Sequence, residues 1–210
     1  MPVAFSVLVI VLLSYFLGCF NGAVLISSFI IRDDIRGHGS GNAGLTNFYR
    51  TYGARYALGV ILLDMGKTAV ATVIGGYMFL CLYEDWTLGV LVAGLSCIIG
   101  HIFPAFYEFK GGKGILAGSI LVIMLDWRMA LVAWCLFVLA VALTRYVSLG
   151  SVSAASSVAV ASFFIYDRPV YIILTTIIAA LVVWSHRSNI VRLVKGNENK
   201  FHFHVDPPSK

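Results

Sequence analysis

Three polar segments hold nearly all the residues that could do chemistry, and each is rich in groups that bind anions. The first is Arg36-Gly-His-Gly-Ser-Gly-Asn-Ala-Gly-Leu-Thr-Asn-Phe-Tyr-Arg50. Its glycines, Gly37, Gly39, Gly41 and Gly44, permit conformations in which successive backbone N–H groups converge on an anion. Ser40, Asn42, Thr46 and Asn47 add neutral hydrogen-bonding groups, and Arg50 adds a planar fork suited to phosphate. The second segment, Phe109-Lys-Gly-Gly-Lys-Gly114, sets Lys110 and Lys113 among Gly111, Gly112 and Gly114. It opens a helical run, so side-chain charge and the positive end of a helix act together. The third runs from His186 to Lys200, and helical spacing predicts His186, Asn189 and Arg192 on one face.

Plainer readings stand beside these. The first segment could be a flexible loop, and the two lysines could simply meet anionic lipid headgroups. The third could be the basic flank of a membrane span. None of the three accounts for the asparagines, the histidine and Glu198.

Other chemistries lack their residues. No G-x-S-x-G elbow and no Cys/His pair is visible, which disfavours a covalent acyl-enzyme. The Walker A spacing is missing at Lys113, and Gly66-Lys67-Thr68 fails because position 61 is isoleucine. No metal-ligand set is visible; His202 and His204 lie in a polar tail. Cys19, Cys81, Cys97 and Cys135 stand singly in apolar stretches and read as small buried hydrophobes. Asp64 and Lys67, three residues apart in an apolar run, form either a structural ion pair or a wall of the site. His101 reads as packed or hydrogen-bonded, and Arg145-Tyr-Val-Ser-Leu-Gly-Ser151 adds an arginine and hydroxyls at the inner face.

The elements that must position these groups are membrane helices. Of 210 residues, 60% are hydrophobic and 12% charged, against roughly 45–50% and about 25% in a soluble domain. A soluble protein is excluded. A span needs about 20 apolar residues, and Val3–Ile31, Tyr56–Tyr83, Trp86–Tyr107, Met129–Thr144 and Val170–Ser185 qualify or nearly do. Gly114–Leu125 and Val152–Tyr166 are shorter, so the count is five to seven. The expected fold is an all-α integral membrane protein, a single domain over residues 1–210 built as a seven-span bundle. Its N-terminus lies outside and its C-terminus in the cytoplasm. Twelve of the fifteen basic residues then fall inside, with only Arg128 and Arg168 outside and Lys67 within a span. That is the positive-inside bias. The first span follows no positive n-region and precedes no A-x-A site, so it does not read as a signal peptide.

Together the segments resemble the bacterial membrane acyltransferases of the PlsY type. The signature S-G-N-x-G-x-T-N-x-x-R is matched by Ser40, Gly41, Asn42, Gly44, Thr46, Asn47 and Arg50. A glycine-lysine signature is matched by Gly100-His-Ile-Phe-Pro104 with Phe109–Gly114. The third, H-R-x-N-I-x-R-L-x-x-G-x-E-x-K, is matched by His186, Arg187, Asn189, Ile190, Arg192, Leu193, Gly196, Glu198 and Lys200. Asp64 with Lys67, and Arg145 with Ser148, also look like family elements. Departures are small: Thr68 follows Lys67 where glycine is commoner, and Ile115-Leu116-Ala117 replaces Val-Ala-Thr.

The resemblance implies transfer of an acyl group from acyl phosphate to glycerol 3-phosphate at the cytoplasmic face of the bacterial inner membrane. It implies no cofactor, no metal and no nucleic-acid partner. It also implies membrane lipid as surroundings and coupling to an enzyme that makes acyl phosphate. The missing H-x-x-x-x-D signature fits a donor other than acyl-CoA or acyl-carrier protein. On this resemblance Ser40, Gly41, Asn42, Thr46, Asn47 and Arg50 bind phosphate and glycerol. Lys110, Gly111, Gly112, Lys113 and Gly114 hold the acyl-phosphate group, with Ser148 nearby. His186 and Asn189, with Lys113 and Ser40, stand nearest the reacting atoms, and Arg192 and Glu198 orient neighbours. Phosphates beside His186 favour imidazolium, which implies a positioning group and proton removal by the donor phosphate. The rival from the residues alone is a small transporter or channel for an anionic metabolite, which the one-sided motifs and lack of inverted repeats disfavour.

Overall fold

The computed structural model describes residues 3–201, so His202, His204 and Lys210 lie outside the described residues. Among the described residues the regular structure is entirely helical. The ten α-helices are α1 (Val3–Cys19), α2 (Gly22–Ile26), α3 (Leu45–Tyr52), α4 (Ala57–Tyr83), α5 (Trp86–Ile102), α6 (Ile115–Leu125), α7 (Trp127–Thr144), α8 (Val147–Ile165), α9 (Pro169–Ser185) and α10 (Arg187–Val194). Four of them, α4, α5, α7 and α8, are long and apolar enough to cross a membrane. The count rises to six if the bent pairs α1–α2 and α9–α10 each make one span.

Apolar side chains cover the outside as well as the core. Along α7, Leu131, Val132, Val138, Leu139 and Leu143 are all exposed, a surface that water would not tolerate but lipid does. Cys81 and Cys135 lie on this surface; only Cys19 and Cys97 are buried as expected. Small residues let the central helices touch. A Cβ on Gly100 would sit 2.1 Å from the Tyr15 carbonyl oxygen, and one on Gly89 would sit 2.2 Å from that of Gly75. Helix α5 therefore lies against both α1 and α4, with a core of Leu91, Ile98, Leu121, Ile178 and Val182 beyond it.

Three expectations are corrected. The first apolar run is not one helix but breaks at Phe20-Asn21, where α1 and α2 bend by 40°. Asn21 is extended, and its side chain accepts from the Val24 N–H to start α2. The short segment expected at Val152–Tyr166 is instead the full-length α8, because the helix begins earlier, at Val147, and takes in Ser148, Gly150 and Ser151. His186 does not share a helical face with Asn189; it occupies the break between α9 and α10, which bend by 58°.

The break in the first run explains the intramembrane charges. Carbonyl and N–H groups freed in a hydrocarbon layer cost several kcal/mol each unless paired. Lys67 Nζ donates to the Gly18 oxygen at 3.0 Å and the Phe20 oxygen at 2.8 Å. Asp64 Oδ1 accepts from the Gly22 N–H at 3.0 Å and from Lys67 at 2.9 Å. The structure bears out both readings: the pair closes both ends of a broken helix, and Asp64 also lines the cavity described below.

Candidate active site

The break also fixes the first polar loop. Asn21 Nδ2 donates to the Ala43 oxygen at 2.9 Å, which ties the loop to the mouth of the bundle. Asn47 shapes the rest from inside. Its Oδ1 accepts the Ser40 N–H at 3.0 Å, and its Nδ2 reaches the His38 and Asn42 oxygens at 3.0 and 3.1 Å. Asn47 is thus largely spent on the loop, with little left for a ligand.

The glycine-lysine loop hangs on the end of α5. Gly111 and Gly112 donate N–H bonds to the Ile102 and His101 oxygens at 3.2 and 3.1 Å. A Cβ on Gly112 would lie 2.2 Å from His101 Nε2, so only glycine passes here. Gly114 has φ of +82° and starts α6. Ser185 Oγ donates to the Lys113 oxygen at 3.0 Å, binding this loop to α9.

Glu198 gathers the remaining pieces. Its Oε1 accepts from Ser148 Oγ at 2.8 Å and Asn189 Nδ2 at 2.7 Å, and its Oε2 accepts from Arg192 Nε at 2.7 Å. Lys113 Nζ donates to Asn189 Oδ1. Arg50 Nη2 donates to the Asn199 oxygen at 3.0 Å. One carboxylate and one amide therefore lock α8, α10 and the glycine-lysine loop together.

These groups surround a cavity of about 170 Å³. Ser40, Asn42, Thr46, Asn47 and Arg50 line it from the first loop, and Lys113 and Gly114 from the second. Ser148, His186, Asn189, Arg192 and Glu198 complete the wall. Gly41, Gly111 and Gly112 face instead an adjoining polar recess of about 310 Å³ that shares Ser40, Asn42, Lys113 and Arg192. Lys110 lines neither space. Its ammonium pairs with Glu108 at 3.0 Å and points to solvent, so the two lysines of the motif have different roles. An apolar groove of about 340 Å³ between α6, α7, α8 and α9 adjoins the cavity, sharing Gly114, Ile115, Leu116 and Phe137 as wall.

The electrostatics favour an anionic guest. Arg50, Lys113 and Arg192 face Glu198 and Asp64, the latter already paired with Lys67, which leaves a surplus of positive charge. Burial, with Arg192 nearby, pushes Lys113 down to about 8, and burial likewise lowers Arg50. Burial alone would raise Glu198, but hydrogen bonds from Asn189, Arg192 and Ser148 outweigh it and hold the carboxyl below its ordinary value. An anion among these cations would relieve their mutual repulsion.

His186 is held by the end of α9. Its Nδ1 lies 2.8 Å from the Val182 oxygen. A carbonyl only accepts, so Nδ1 carries the hydrogen and Nε2 is left for the cavity. Burial pushes its pKa down to about 4. Burial thus favours the neutral imidazole.

Residues 8–196 match the family model described as glycerol-3-phosphate acyltransferase. The chain belongs to the glycerol-3-phosphate acyltransferase family. Relatives bearing that name agree over nearly the whole chain. The protein from Finegoldia magna is 38% identical over 187 residues, 89% of this chain and 91% of that one. The one from Prochlorococcus marinus is 37% identical over 195 residues, 92% and 96%. The crystal structure of PlsY (YgiH), an integral membrane glycerol 3-phosphate acyltransferase in its glycerol 3-phosphate form, superimposes with a TM-score of 0.83. It is 30% identical, covering 94% of this chain and 96% of that one. The lysophosphatidic acid form gives 0.79. This member of the glycerol-3-phosphate acyltransferases is accordingly an integral membrane protein of the PlsY type.

Sequence reasoning missed Asn21 and Asn199, and placed Ser151 only as a hydroxyl at the inner face. Ser151 and Asn199 line the cavity. Asn21 did leave a signal, an amide beside glycine in the middle of an apolar run.

Proposed function

We propose that the protein transfers an acyl group from acyl phosphate to glycerol 3-phosphate, giving 1-acyl-glycerol 3-phosphate and inorganic phosphate. The observation that carries this reading is the junction at Gly114–Leu116, where a cationic cavity meets an apolar groove. A donor with a phosphorylated head and an acyl tail fits both halves at once. Arg50, Ser40, Asn42 and Thr46 hold the glycerol 3-phosphate, while Lys113 and the backbone of Gly111–Gly114 hold the acyl phosphate. Asn47 acts by shaping the loop.

Acyl phosphate is a mixed anhydride, already activated, so no covalent intermediate is required. The chief obstacle is repulsion between two anions, and the fixed cations offset it while orienting the attack. The glycerol hydroxyl oxygen bonds to the acyl carbon, and the bond from that carbon to the phosphate oxygen breaks. The hydroxyl proton leaves on the phosphate. His186 Nε2, neutral, accepts a hydrogen bond from the glycerol hydroxyl that does not react and so aims the attacking one. A group with a pKa near 4 is a weak final acceptor at neutral pH, which favours the phosphate as the base.

The test is donor choice. Purified protein in lipid should release inorganic phosphate from acyl phosphate when glycerol 3-phosphate is present, and show at most slight turnover with acyl-CoA. Comparable rates with the two donors would refute the reading. Because the donor is labile and lipidic, its supply by a neighbouring enzyme that makes acyl phosphate belongs to the same proposal.

The proposed topology is seven crossings with the N-terminus outside and the site facing the cytoplasm of a bacterial inner membrane. The basic cavity wall supports that side. At the opposite end Asp85 accepts from Arg168 at 2.5 Å and Tyr171 at 2.6 Å, joining the α4–α5 and α8–α9 turns. The seventh crossing requires α6, whose 11 residues span only about 16 Å. A cysteine placed at Ser40, in a background lacking the four native cysteines, should resist an impermeant thiol reagent applied to intact cells. Labelling from outside would reverse the orientation.

A further inference from the structure

His101 is buried, 3% exposed, between the helix break and the glycine-lysine loop, and the chemistry above gives it no task. Its Nδ1 lies 2.9 Å from Lys67 Nζ. Lys67 serves three other acceptors: the Gly18 and Phe20 oxygens and Asp64 Oδ1. Three acceptors require three N–H bonds, so Lys67 is an ammonium and can accept nothing. Nδ1 of His101 must then present its lone pair, sharing one of those hydrogens. The Asp64 carboxylate, at 3.5 Å from Nδ1, is too far to compete. It follows that the hydrogen of the neutral ring sits on Nε2.

That hydrogen has no recorded protein partner among the described residues. His101 lines the same cavity as Lys113 and His186, and Nε2 lies against the α-carbon of Gly112, beside Lys113. A donor held in one tautomer, buried, and left unpaired beside a cationic wall is arranged for an incoming acceptor.

We infer that His101 is a substrate-binding residue whose Nε2–H donates to a phosphoryl oxygen in the cavity, with Lys67 acting as a positioning residue that fixes its tautomer. The inference rests on the cavity holding a phosphorylated substrate. Histidine supplies direction here and Lys113 supplies charge. Both substrates bear phosphoryl oxygens, so the assignment is to that chemistry, and the experiment separates the two sources.

The test uses two substitutions with opposite losses. His101→Asn keeps an oxygen near the position of Nδ1 for Lys67 but withdraws the donor from the cavity. His101→Gln keeps an N–H near the position of Nε2 and gives up the contact with Lys67, which still has its three other acceptors. Binding of inorganic phosphate and of glycerol 3-phosphate to the full chain in nanodiscs would be measured by calorimetry, together with kcat and KM. The expected order is Gln above Asn: affinity within about threefold of wild type for Gln, and about 10–100-fold weaker for Asn, as for a hydrogen bond to a charged group. Weakening toward inorganic phosphate alone assigns the donor's phosphoryl group; weakening toward glycerol 3-phosphate alone assigns the acceptor's. Asn binding both ligands as well as or better than Gln would overturn the inference, since it would mean that His101 serves only to support Lys67. A second readout needs no variant. In 15N-histidine-labelled wild-type protein, the His101 Nε2 resonance should move when inorganic phosphate or glycerol 3-phosphate is added. A stationary resonance with both ligands, under conditions where the enzyme turns over, overturns the role of His101 and leaves the proposed reaction standing. Wild-type protein without turnover overturns both.

Discussion

His186→Ala should lower kcat by about 10²–10³, the loss seen when a single well-aimed hydrogen-bonding group is removed from an acyl-transfer site. The more informative result is the pH profile. The ring's Nδ1–H is committed to the Val182 oxygen, and burial pushes its pKa down to about 4. Its Nε2 is therefore left as an acceptor toward the cavity. Substrate phosphates lose their second proton near pH ~6. Below that they become poorer proton acceptors, so the rate should fall on the acidic side. In the alanine variant the level drops while this acidic limb keeps its position. Disappearance of the limb, in a variant that still folds and binds substrate, would transfer the proton to His186 itself.

Gly112→Ala should strongly damage the site. The added Cβ would stand 2.2 Å from His101 Nε2 and 2.8 Å from the Ala43 oxygen. Neither neighbour can retreat. His101 is packed beside Lys67, and the Ala43 carbonyl is held by Asn21. Overpacking of this kind costs about 1–3 kcal/mol, and if it falls on the catalytic geometry kcat/KM drops about 10–100-fold. Gly66→Ala on α4 is the control, because a Cβ there meets nothing within 4 Å. It should retain both activity and thermal midpoint. Should the two variants behave alike, the close approach at Gly112 would have no catalytic consequence.

Much of this is legible in the sequence alone. The three polar segments, the membrane class and the family resemblance all follow from residue types and spacing, because anion binding and hydrophobic length are local properties. Contacts between segments were not. Glu198 joins Ser148, 50 residues away, to Asn189 and Arg192, and no spacing announces that. Lys110 and Lys113 look equivalent in the chain, yet one faces solvent and the other the cavity, a difference of backbone direction over three residues. The break at Asn21 was hidden because Val3–Ile31 is apolar throughout on average, and a mean cannot reveal one extended residue. The shortness expected for α8 had the opposite cause: serines and glycine lowered the hydropathy of a helix that packs them inward. The neutral state of His186 depends on burial, which only the fold sets.

The Asp64–Lys67 pair limits how this sequence can drift. An ordinary ion pair on a helix can exchange its partners, since attraction has no direction. This one cannot, because one partner meets carbonyl oxygens and the other meets an amide N–H. A swapped pair would set a carboxylate against carbonyl oxygens and an ammonium against an N–H. Compensation by a second mutation, the usual escape from a lost charge, is thereby closed at both positions for as long as the chain keeps its break at Asn21.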